Sequence, residues 1–166
     1  MPTTTVEQRL RTFLLWLAGS MCVGTTVELF LAKHYEDPIQ FIPFALCAVG
    51  LIAVAAALRR PQRARLLALR GVMSLLLLGS LFGIYEHLVN NFAFELDMRP
   101  SAVWSDVWFQ ALRGAAPLLA PGILAVAAVV ALAATYAHPA LARRNDAVAP
   151  ERSAAGEPAL GESRRT

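Results

Sequence analysis

Residues 12 to 32 read TFLLWLAGSMCVGTTVELFLA, an apolar run in which Glu28 is the single charged side chain. The hydrocarbon core of a bilayer requires a helix of about 20 predominantly apolar residues. A helix that is apolar on every side suits lipid better than water. Three further segments, 39–58, 71–89 and 114–137, have the same length and character. With 57% hydrophobic residues and a mean hydropathy of +0.51, the chain carries more apolar surface than one small soluble core would hide. The sequence therefore predicts an all-α integral membrane four-helix bundle as one domain over residues 1–144. The remaining segment, 145–166, is polar and rich in Ala, Glu, Arg, Pro, Ser and Gly, the composition expected of a disordered tail.

Arg9 and Arg11 before the first run, with Ala18, Gly19 and Ser20 inside it, have the outline of a signal peptide. The run continues to Leu31, too long for a signal sequence, and is read as the first membrane helix. Arginine sets the orientation, since cytoplasmic loops retain positive charge. Twelve of the fifteen basic residues fall at 9–11, 59–70 and 143–165, and only Lys33, Arg99 and Arg113 fall in the other connections. Both termini are expected in the cytoplasm of a bacterial-type plasma (inner) membrane, with 33–38 and 90–113 outside. The pI of 9.3 follows from this topology signal, so no nucleic-acid partner is expected. The partners expected are the lipid bilayer and a homo-oligomer or a larger membrane complex.

The second outer connection contains PSAVWSDVWFQALRG. Trp104, Val107, Trp108, Ala111 and Leu112 recur there at helical spacing, predicting a short amphipathic helix over 101–112 with Trp104 and Trp108 as interfacial anchors. Such a helix serves as a surface anchor or as a lid. Pro38 and Pro43 flank the start of the second membrane helix, where a missing N–H does least harm, whereas Pro117 and Pro121 bracket the entry of the fourth, and Pro121 inside that helix would free a carbonyl and kink it.

The ionisable groups well inside the apolar segments form a pattern. Ser20, Gly24 and Glu28 stand one turn apart in the first helix, and Gly79, Gly83 and then Glu86 and His87 repeat the plan 59 positions later. Small residues at this spacing let helices approach closely, so both stripes are expected to face the bundle interior. Glu28, Glu86 and His87 are then expected on one interior patch at the outer end of helices 1 and 3, with His34 at its rim and Arg113 as a partner for a carboxylate. A tandem repeat of two helices and chance likeness between apolar helices both account for the pattern.

Three functional readings follow, in order of preference. The first is an accessory or scaffold membrane protein in which the polar groups are structural. The second is a subunit of a proton- or cation-coupled transporter using Glu28 and Glu86, because an intramembrane carboxylate can carry a proton or accept a cation. The third is a membrane redox protein holding haem or a transition metal on His34, His87 and the same carboxylates. The third lacks the Glu-x-x-His pairs of di-metal bundles. No Walker A, GxGxxG, GxSxG or HExxH motif is present, no catalytic residue is assigned, and no cofactor is required by the first two readings. Cys22 and Cys47 lie mid-helix, without CxxC spacing, and are read as small packing residues.

Overall fold

The computed structural model describes residues 5–114 and 119–142. The tail expected at 145–166, with the basic residues at 143–165, lies outside the described residues. Those described form α1 (Thr5–Leu31), a 3-10 turn (Pro38–Gln40), α2 (Phe41–Arg59), α3 (Arg63–Met98), α4 (Trp104–Arg113), α5 (Leu119–Ala134) and α6 (Pro139–Ala142). No strand occurs among them. Three helices, Thr5–Leu31, Pro38–Arg59 and Arg63–Met98, are long and apolar enough to cross a membrane, which marks a helical membrane protein. Large apolar side chains cover the outside, with Phe13, Trp16, Ile52 and Leu78 each more than 60% exposed. Such a surface is costly in water and suits lipid.

Local chemistry sets the helix ends. α1 closes in a Schellman turn: the His34 N–H donates to the Leu29 carbonyl and the Lys33 N–H to that of Phe30, with Lys33 at φ 52°. Backbone N–H groups of Glu36 and Asp37 then donate to the Gln40 side-chain oxygen, which fixes the connection to α2. Arg60 is extended ahead of Pro61, which cannot continue a helix, and α3 starts two residues later.

α1 packs against α2 and α5, and α3 packs against the same two, so α1 and α3 occupy a diagonal of the bundle. The core is built from small residues at the crossings. Gly19 faces Val54, a Cβ on Gly50 would stand 3.2 Å from Leu76, and Ala127, Ala128, Ala131 and Ala134 of α5 are all at most 2% exposed. Cys22 and Cys47 are fully buried and in side-chain hydrogen-bond contact where α1 meets α2. At the far end of α5, Arg70 of α3 donates to the Thr135 hydroxyl (2.8 Å) and carbonyl (2.9 Å), while Arg11 of α1 donates to the carbonyls of Tyr136 and Ala137. α5 has no basic residue in its own last turn, so neighbouring helices supply the cations that its negative end favours.

The structure corrects two expectations. α3 continues to Met98 instead of ending at 89, because polarity marks where lipid contact ends and not where a helix ends. At about 54 Å it is far longer than a bilayer core. Its last turns are held by the Glu95–Arg99 pair and by Asn91, whose side-chain N–H donates to the Ala111 carbonyl of α4 at 3.0 Å. The inward stripe of α1 is Leu15, Ala18, Cys22, Thr25 and Leu29, whereas Ser20 and Gly24 are exposed. On α3 the expected stripe does face inward: a Cβ on Gly79 would stand 2.7 Å from Leu46 and one on Gly83 3.3 Å from Pro121.

Candidate functional site

A cavity of about 540 Å³ opens at the end of the bundle where α1 stops and α2 begins. Its depth is set by α3, which contributes Gly79, Gly83, Glu86 and Asn90 along one face, about 16 Å of helix at 1.5 Å per residue. The two glycines matter because side chains there would occupy the space or strike Leu46 and Pro121. α1 contributes Thr25, Glu28 and Leu29, and its closing turn swings His34 over the opening. The α1–α2 connection adds Asp37 and Gln40.

Glu28, His34, Glu86 and His87 are thus brought to one cavity across the bundle diagonal. The rings of His34 and His87 are nearly parallel (24°), with centroids 6.1 Å apart. All four side chains are partly exposed. Among the described residues the lining carries three carboxylates, Glu28, Asp37 and Glu86, and neither Lys nor Arg. Deeper in, Leu46, Pro121 and Leu124 make the walls apolar.

Arg113 is not brought to the site; it lies exposed at the end of α4, outside the lining. α4 supplies no lining residue and packs on α3 instead, with Val107 and Ala111 buried and both Trp104 and Trp108 laid against Phe92 at 5.4 and 5.5 Å between ring centroids. Asp37 and Thr25 are members of the site that the sequence reading missed. Thr25 had a usable signal, since it stands one turn before Glu28. Asp37 had none beyond its place in the short connection before Pro38.

Among the described residues no three His, Cys, Asp or Glu side chains converge as a metal-holding group. The carboxylates and imidazoles surround a space instead of meeting at a point, so the donor set needed for the metal reading is not assembled. Comparison of the chain with protein families, curated proteins and solved structures finds no match.

Proposed function

We propose that this chain is a four-span protein of a bacterial-type plasma (inner) membrane that binds a proton or cation in its outward-opening cavity, as a subunit of a transporter. The observation that carries the reading is the cavity lining: among the described residues it holds three carboxylates and two imidazoles with neither Lys nor Arg, set above apolar walls. An accessory or scaffold protein needs no such space, and intramembrane carboxylates are costly unless used. α5 is the fourth span; its described length of about 24 Å is short for a bilayer, and its alanine face is seated between α1 and α3. The partition of basic residues supports cytoplasmic termini and an outer cavity. Trp104 and Trp108 then anchor α4 at the outer interface. One cavity does not cross a membrane, so the working unit includes further copies or a larger membrane complex.

The test uses protein purified and reconstituted in vesicles. Proton or monovalent-cation flux is measured for the unaltered chain and for Glu28→Gln and Glu86→Gln. The reading requires flux that either substitution reduces at least tenfold with helix content unchanged. Flux and equilibrium cation binding both absent from the unaltered, folded protein would leave only the accessory role.

A further inference from the structure

We propose that the cavity is built for an organic ammonium ion with an apolar body and a hydrogen-bonding atom at its far end. This rests on the cation-binding reading and specifies the class of cation. The space of about 540 Å³ lies in the range of small-molecule sites and is far larger than one bare ion fills. Among the described residues the acidic groups do not gather as a metal-holding set. An ammonium group can instead sit at the mouth among Glu28, Asp37 and Glu86, donating to more than one carboxylate. The apolar walls below, Leu46, Pro121 and Leu124, fit a hydrocarbon body.

Thr25 supplies the independent observation at the deep end. It is 2% exposed, it lines the cavity, and among the described residues its hydroxyl has no hydrogen-bond partner. Four other hydroxyls of these helices behave differently: those of Thr12, Ser20, Thr26 and Ser80 each donate to a carbonyl three or four residues back. A buried hydroxyl without a partner is destabilising, and the usual remedy is the backbone one turn away. Thr25 forgoes it and stands one turn, about 4.5 Å, below Glu28. A ligand whose ammonium meets the carboxylates therefore presents its other end to this hydroxyl.

The test is equilibrium binding to the full chain in maltoside micelles by calorimetry, with tyramine and phenethylamine as probes. They share the ammonium and the ring, and only tyramine carries a hydroxyl at the far end. Tyramine is expected to bind about two- to tenfold more tightly, the range of one net hydrogen bond. Thr25→Val should abolish that preference, Thr25→Ser should keep it, and Glu28→Gln should weaken both amines. An ammonium can also come from a lipid headgroup. Weaker tyramine binding after addition of phosphatidylethanolamine upholds the proposal with an aminolipid as a source, and unchanged binding upholds it with a water-borne amine. Equal affinity for the two amines in the unaltered chain overturns the proposal. Binding of Na⁺ or protons that depends on Glu28, with no binding of either amine, overturns it while the cation reading stands. No binding of any of these sinks both.

Discussion

Replacing Arg70 by Met removes two hydrogen bonds while keeping most of the apolar stem in place. In the structure the guanidinium Nε donates to the Thr135 hydroxyl at 2.8 Å and an Nη donates to its carbonyl at 2.9 Å. The same hydroxyl donates to the Leu132 carbonyl, so it is used in both directions. Thr135 is 1% exposed, and its oxygens have no ready exchange for water when the arginine is gone. A hydrogen bond from a charged donor contributes roughly 1.5–3 kcal/mol, and partial exposure of Arg70 favours the lower end, so Arg70→Met should cost about 2–4 kcal/mol. Thr135→Val removes only the hydroxyl contacts and should cost about 1–2 kcal/mol. Because one bond is shared, the double variant should be less destabilised than the two single costs together, by about 1 kcal/mol. Unfolding by a rising fraction of denaturing detergent, followed by helix content, measures all four species. Strict additivity, or an Arg70→Met variant as stable as the unaltered chain, would refute the reasoning that this shared contact fastens the end of α5. The other end of α5 carries Pro121 and Leu124, which wall the cavity.

Four further expectations follow from local geometry. Lys33→Gly should stabilise the chain by about 0.5–1 kcal/mol, because Lys33 holds a left-handed φ of 52° that glycine adopts without a Cβ penalty; equal or lower stability in detergent unfolding would count against the Schellman turn. Gly114→Ala should loosen α4, since its Cβ would fall 2.5 Å from the side chain of buried Asn91; a red shift in emission of Trp104 and Trp108 is the readout, and an unchanged spectrum with unchanged stability would contradict it. His138 is held below the ordinary histidine value of 6.5 by burial and then by Arg11 and Arg70, and its Nδ1 accepts the Ala140 N–H. The unfolded chain therefore binds the proton first, so stability is full above about 6.5 and falls as pH drops toward the lowered folded value; His138→Gln should flatten that slope, and an identical slope would exclude this origin. Reporters fused after Arg65 should read cytoplasm and one inserted near Asp97 the outside; the reverse would overturn the orientation and the outward opening with it.

Much of the fold was legible because hydrophobicity is a local property. Each long apolar run in the sequence holds a helix among its described residues, and Pro38 and Pro61 stand where helices begin or end. Which face of α1 turns inward was not legible, for a reason peculiar to lipid. In water the buried face is the apolar one, whereas here Phe13 and Val27 outside are as apolar as Leu15 and Leu29 inside. Two small-residue stripes were available on α1, and the partner chose between them. Val54 and Leu51 of α2 fit against Gly19, and Cys47 against Cys22, which turned Ser20 and Gly24 outward. The likeness of α1 to α3 is therefore one of spelling and not of environment: Gly24 meets nothing within 4 Å while its counterpart Gly83 abuts Pro121.

Glu28 lines the cavity despite that error because it lies about 40° round the helix from Gly24, turned toward Thr25. Residues three apart are neighbours on a helix, so an inward Thr25 brings Glu28 to the cavity edge even when Gly24 faces out. The diagonal placement of α1 and α3 then supplies what sequence spacing could not. Had the two helices been neighbours in contact, their polar groups would have met as a paired cluster with no room between them. On the diagonal they face each other across an opening, with Pro43 of α2 and Pro121 of α5 on the remaining sides. α2 begins at this end, so the positive end of its dipole lies at the end of the bundle that holds the carboxylates. Among the described residues the lining thus sets its three carboxylates around one opening with no Lys or Arg beside them, the arrangement that the proposed exchangeable cation requires.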